Sequence, residues 1–352
     1  MTEPRRNLLK RIRNRVTSLP RRIRLAIAHS SVGNPALRPL HDWYVAKDHE
    51  REIRAVAAGQ RRFERDHAGD STSFYMLRRN VHRLEKGLIM RPRRASFGAD
   101  YIRQTVELYE RAAQIPNFDV SELRWADQVL SEYFSVVDSS VPNVESARQA
   151  FQSACVASSA PRTAVPFLRD LNARPVASED FYKLCVKRRS VRWFQDRQVA
   201  REHIDCAIQS AVQAPSACNR QPFQFRVFDS PAEAQQICSI AIGTRGFFHQ
   251  VPAVAVLVGR LRAYPLSRDR HAIYIDAALA AMSFMLALEC EGLASCPINW
   301  PDQEPQESTI RDMLQLEDDE RVIMFVGFGW PDPEGMVPFS AKKGMEEIRR
   351  WS

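Results

Sequence analysis

The sequence predicts an α+β protein whose front half is mainly helical, and three observations carry that expectation. Residues 40–150 repeat apolar positions at helical spacing and hold few alternating, strand-like runs. From residue 181 onward, short alternating strands are interleaved with helices. Between the two lies a stretch with Ser158-Ser159-Ala160-Pro161, Pro166 and Pro175, the composition of a linker. Four segments follow: a basic extension over 1–39, a helical region over 40–150, a linker over 151–180 and a mixed domain over 181–352.

In the extension, Leu8, Leu9, Ile12 and Val16 form one helical stripe that Pro20 interrupts. The helical region predicts helices from His49 to Ala68, Ser73 to Gly87, Ala99 to Ile115 and Ser121 to Val137, with Asp or Ser near several starts. In the mixed domain, Phe223 to Phe228, Ala253 to Val258 and Val322 to Phe328 alternate as strands. Helices are expected from His203 to Ala214, Ala232 to Ile242, Tyr274 to Glu291 and Glu307 to Leu314. Gly292 reads as a helix C-cap leading into a short buried strand.

Composition excludes several classes. A hydrophobic share of 45% with 26% charged residues allows a sizeable buried core. The longest apolar run, Ile275 to Leu288, holds Asp276 near its start and is followed by Glu289, so a core helix rather than a membrane span is expected. The N-terminus shows neither a signal-peptide apolar stretch nor a small-residue cleavage site. Seven scattered cysteines form no metal-binding pair, and a reducing cytoplasm is the expected location. Residues 1–100 hold 23 Lys and Arg against 10 Asp and Glu, leaving the rest of the chain net negative. That basic front end suggests peripheral contact with an anionic membrane surface through residues 5–27. Nucleic acid is not expected, because basic residues do not interleave with aromatic ones as a stacking surface requires.

Three constellations carry chemistry. Lys187-Arg188-Arg189-Ser190-Val191-Arg192-Trp193-Phe194 gathers four cations and a hydroxyl, and guanidinium forks suit phosphate oxygens. Pro215-Ser216-Ala217-Cys218-Asn219-Arg220-Gln221-Pro222-Phe223 is a short polar loop between two prolines that can present donors to a heterocycle edge. Gly292-Leu293-Ala294-Ser295-Cys296-Pro297-Ile298-Asn299-Trp300 follows the most apolar helix. Each alone has a bland reading as solvated surface, helix-to-strand connection or core strand.

Their order, completed by Val322-Ile323-Met324-Phe325-Val326-Gly327-Phe328-Gly329-Trp330-Pro331, resembles the nitroreductase family over residues 181–352. The resemblance implies a three-layer α+β fold around a mostly antiparallel sheet, assembled as a homodimer that holds FMN at its interface. It places Arg188, Arg189, Ser190 and Arg192 on the ribityl and phosphate groups, and Ser216 and Asn219 on the flavin, often from the partner subunit. Pro297, Ile298 and Asn299 match the backbone that runs beside the isoalloxazine, and Lys342 or Lys343 a basic residue on the phosphate. The implied activity is hydride transfer from NAD(P)H through FMN to a small organic acceptor, with no side-chain catalyst required.

Two departures bear on the substrate. Trp300 stands where many members have glycine, so its indole is expected to narrow the space beside the flavin. The connection from Val258 to Tyr274 is short and basic, with Arg260, Arg262, Arg268 and Arg270, where members often carry a longer lid. Upstream, His82-Arg83-Leu84-Glu85-Lys86-Gly87-Leu88 resembles a segment of longer bacterial relatives. It reads as a helix stop with Gly87 as cap, or as a contact to a partner subunit or a phosphorylated substrate. Trp193 and Phe194 are expected in the core. The alternative function is a flavin-poor or flavin-free module that docks through its basic front end to a membrane surface or nucleic acid.

Overall fold

The computed structural model describes residues 49–68, 74–138, 140–154 and 163–352. The amphipathic stripe of the N-terminal extension, its expected membrane contact and the Ser158–Pro161 run lie outside the described residues. By chain contacts, residues 58–352 form one compact unit. A first helix, α1, runs Glu50–Ala68.

The helical region consists of α2 (Tyr75–Leu88), α3 (Ile102–Gln114), α4 (Val120–Val136) and α5 (Pro142–Ala154). Three of these fall within three residues of the sequence expectation; α5 was not anticipated. Its Phe151 is buried against Tyr109 and Phe134, so this helix completes the region's core. Leu77, Val81, Leu84, Val106, Leu130 and Tyr133 fill the middle of that core. Each such side chain, taken out of water, stabilises by about 1.5–3 kcal/mol. The expected linker boundary at 151 is therefore late in starting: α5 extends to Ala154, and the Thr163 and Ala164 N–H groups both donate to Gln128 Oε1 on α4. Of the polar residues near helix starts, Asp119 does cap α4, accepting from the Glu122 N–H at 2.9 Å.

Gly87 is not a cap. The helix continues past it to Leu88 and closes on Ile89 in a right-handed conformation. Gly87 is there for space: an added Cβ would lie 2.2 Å from the Phe97 ring. Phe97 in turn packs edge-on to Tyr133, whose hydroxyl donates to the Phe97 carbonyl at 2.8 Å.

The mixed domain starts with α6 (Ser178–Lys187) and α7 (Arg201–Ala211). It continues with β1 (Phe223–Phe228), α8 (Pro231–Ile240), β2 (Ala253–Arg260) and α9 (Ala272–Cys290). It closes with β3 (Ala294–Asn299), α10 (Gln306–Leu314), β4 (Glu320–Gly329) and α11 (Met345–Ile348). The four strands form one antiparallel sheet in the order β1-β2-β4-β3. β2 is buried almost throughout because both faces are covered. On one face Phe284 of α9 meets Phe225 and Phe328; on the other, Ile237 of α8 and Ile310 of α10 pack with Val254, Val256 and Phe325. Helix, sheet and helix are the three layers expected. Gly292 has φ +80° and ends α9, the left-handed cap anticipated. Phe194 is buried as expected, but Trp193 is 41% exposed.

Candidate functional site

The Arg box begins where α6 ends. Arg188 closes that helix with its N–H on the Leu184 carbonyl. Ser190 then bridges Ser295 at the start of β3, and the Val191 N–H donates to the Ser295 carbonyl at 3.0 Å. The box thus lies along the free edge of the sheet, beside the β3 segment that holds Pro297, Ile298 and Asn299. The Arg188 Nε and the Ser295 hydroxyl are both buried with no hydrogen-bond partner. Two orphaned donors, one of them cationic, are costly to leave unpaired and fit an anionic, acceptor-rich group.

The remaining box residues have defined neighbours. Arg192 donates to the Ser190 carbonyl at 3.2 Å and sits 5.6 Å from the Phe247 ring centre. Arg189 donates to the carbonyls of Pro338 and Phe339, which ties the C-terminal segment to the box. Lys342 and Lys343 follow on that segment; both are exposed, and Lys343 pairs with Glu347 at 3.2 Å. Behind the box, Glu289 is buried 4.0 Å from Lys187. Burial raises its carboxyl pKa, and Lys187 and Arg188 only partly offset that.

On β3, Ile298 points into the core with Cys296, whereas Asn299 is exposed. Pro297 lacks an N–H and so can donate nothing from the strand. Trp300, expected to narrow the space beside the flavin, is buried: it stacks on Phe325 at 4.9 Å, donates to Glu307 and is 6% exposed. Strand alternation turns it inward, to a face where a buried carboxylate receives its indole N–H. The indole belongs to the core.

The loop at 216–221 is backbone-strained. Cys218, Asn219 and Gln221 all have φ between 50° and 57°, a region that non-glycine residues enter at a cost. Two anchors hold it. From α9, the Asp276 carboxylate accepts the Ala217 N–H at 3.0 Å and the Tyr264 hydroxyl at 2.9 Å. Burial raises the Asp276 pKa, and these hydrogen bonds with nearby Arg220 pull it back. From α2, Arg78 donates to the Asn219 carbonyl at 2.9 Å and to Gln221 Oε1 at 3.1 Å, while pairing with Glu122 of α4 at 2.8 Å. Inside the loop, Ser216 Oγ accepts the Gln221 N–H and the Ser216 carbonyl accepts the Asn219 N–H.

Sequence reasoning missed both anchors. Asp276 had a signal, being an acid inside the most apolar helix of the chain; Arg78 had none, since its partners lie 141 and 143 positions away. The basic connection after β2 is also reread. Arg260 pairs with Glu320, and Arg262 with Asp319 and Glu317, at 2.7–3.1 Å. Arg260 and Arg262 are thus paired structural groups. Among the described residues, no hydrogen bond or ion pair joins the 216–221 loop to the Arg box, and no cluster suits a metal ion.

Residues 185–243 and 239–330 match the model of the nitroreductase family. The C-terminal half of the chain is a nitroreductase-family domain. Iodotyrosine deiodinase 1 of Sus scrofa is 25% identical to it over 199 residues, covering 49% of this chain and 68% of that protein. A protein of Archaeoglobus fulgidus named "Putative NADH dehydrogenase/NAD(P)H nitroreductase" is 26% identical over 157 residues, 44% of this chain and 88% of its own length. Among solved structures, an FMN-dependent nitroreductase from Clostridium difficile covers 47% of this chain and 96% of its own, at 21% identity and a TM-score of 0.41. The nitroreductase domain is that of an oxidoreductase.

Proposed function

We propose that the nitroreductase domain binds FMN and moves a hydride from NAD(P)H, by way of flavin N5, to a small organic acceptor. FMN supplies the redox chemistry; the protein supplies binding, orientation and charge. In this reading Arg188, Arg189, Ser190 and Arg192 hold the phosphate and ribityl groups, with Lys342 or Lys343 adding charge. Ser216 and Asn219 meet the flavin ring, and the backbone at Pro297, Ile298 and Asn299 borders it. The observation that supports this most is the pair of orphaned buried donors at the box, Arg188 Nε and Ser295 Oγ.

The domain works as a homodimer in this reading. Ile275, Leu279 and Met282 leave an apolar stripe exposed on α9, and the C-terminal segment exposes Met336, Phe339, Ile348 and Trp351. Apolar surface on that scale favours a partner. A loop not bonded to the box of its own chain also agrees with a flavin contacted from two protomers.

The test is direct. Purified protein should be yellow, release FMN on denaturation and oxidise NADH or NADPH when an acceptor is added. A colourless protein that takes up no added FMN refutes the reading.

A further inference from the structure

Among the described residues, several arginines that are buried or half-buried are matched to carboxylates. Arg321 pairs with Asp302 and Glu307, Arg226 and Arg260 with Glu320, and Arg262 with Asp319 and Glu317. A group matched far less well sits against the 216–221 loop. Arg78 fixes α2 to Asn219 and Gln221; Arg79 is the next residue of that helix and Arg83 lies one turn further.

Among the described residues, neither Arg79 nor Arg220 forms an ion pair with a carboxylate. Arg79 Nη1 touches only the Met76 sulfur, at 3.3 Å. Arg220 is 6% exposed, lies 4.8 Å from the Tyr264 ring centre and spends Nη1 on the Ala217 carbonyl, while its Nε is buried without a partner. Asp276 is near enough to feel Arg220, but its oxygens serve Ala217 and Tyr264. Arg83 lies over the Tyr101 ring, 3.8 Å from its centre, and its carboxylate partner, Asp100, is 3.8 Å away and 77% exposed. Burial, then Arg83, then Arg220 disfavour the charged form of Arg79, with Cys218 and Tyr101 acting the other way.

Cations crowded beside a functional loop with little counter-charge cost stability, and a bound anion would offset that cost. We propose that Arg79, Arg83 and Arg220 form an anion-binding subsite that selects an acceptor bearing a carboxylate or phosphate group. The planar forks of arginine suit both oxyanions. This assignment rests on the flavin reading of the loop, and it gives the helical region a part in substrate choice.

Calorimetry on FMN-saturated protein tests it with three probes that share one nitro group: 4-nitrobenzoate, 4-nitrophenyl phosphate and nitrobenzene. The anionic probes should bind at least about tenfold tighter than nitrobenzene, the value of one charge-assisted contact. The tighter of the two names the natural headgroup. In Arg79→Gln/Arg83→Gln the preference should collapse, with flavin content retained. Its thermal midpoint without anion should stay level or rise, because repulsion has been removed. Equal affinities in the wild type, a preference that survives the double variant, or a lowered midpoint would each overturn the proposal. If the double variant does not fold, Arg79→Lys/Arg83→Lys, which keeps charge but loses the fork, must show a reduced preference. Should the protein take up no FMN, the same titrations on the protein as purified still read the subsite, so its failure is separable from that of the flavin reading.

Discussion

Arg78 donates to the main-chain carbonyl of Asn219 at 2.9 Å across 141 positions of sequence, and so fastens the helical region to a strained loop of the nitroreductase domain. The same guanidinium pairs with Glu122, whose pKa is raised first by burial, with Arg78 opposing.

Arg78→Ala removes the loop anchor and leaves a half-buried carboxylate unpaired. The expected loss is about 2 kcal/mol of stability, with weaker FMN binding. Denaturant titration and flavin release read the two effects. Arg78→Lys should recover the ion pair more than the loop, so stability returns further than FMN affinity does.

At the Arg box, Arg188→Ala and Arg192→Ala should each cost roughly 1.5–3 kcal/mol of FMN affinity, a charge-assisted contact apiece. Fluorescence titration of free FMN measures it. Unchanged flavin content in both variants would show the phosphate to be held elsewhere.

Gly87→Ala sets two effects against each other. Alanine favours the helix by about 1 kcal/mol, but its Cβ would sit 2.2 Å from the Phe97 ring. Overpacking of this kind costs about 1–3 kcal/mol, so a net loss is expected. Adding Phe97→Leu to Gly87→Ala should recover part of it in a thermal melt.

Trp300→Ala should destabilise by about 3–5 kcal/mol, as for a buried indole, through the lost Phe325 stack and Glu307 bond. A flavin absorption spectrum unchanged from wild type would agree with its place in the core; a shifted spectrum would put it back beside the cofactor.

Glu289 supplies the pH dependence. Its folded pKa is raised by burial, so the folded state keeps the proton to higher pH than the unfolded chain. The stability this group contributes is full below its ordinary value of 4.5 and is lost as pH rises through the folded value. Glu289→Gln should therefore stabilise near pH 8 and give no gain near pH 4. Melting points at the two pH values decide it; a larger gain in acid would contradict the burial argument.

Much of this architecture was legible in advance. Alternation located β1 to the residue, because Phe223, Phe225 and Val227 share a face across six positions. The Arg box and the Asn219 loop were picked out by residue type and order as the candidates for holding FMN. What stayed hidden was of two kinds. α5 opens on Pro142 and has a weak apolar stripe that only its packing on Tyr109 and Phe134 makes helical. Side-chain direction was the other: nothing local said that Trp300 faces inward, or that Gly87 yields space rather than ending a helix. The anchors at Arg78 and Asp276 depend on partners far along the chain, and no window of sequence contains both ends.

The Arg78 anchor also bears on the order in which the chain can mature. During synthesis α2 and its neighbours leave the ribosome long before residues 216–221 exist, so the helical region must wait with Arg78 unengaged. Contacts of such sequence separation slow folding. The loop can settle onto that helical platform only once residues 216–221 exist, and a truncated chain lacking the platform is expected to lose the hydrogen bonds that Arg78 gives Asn219 and Gln221.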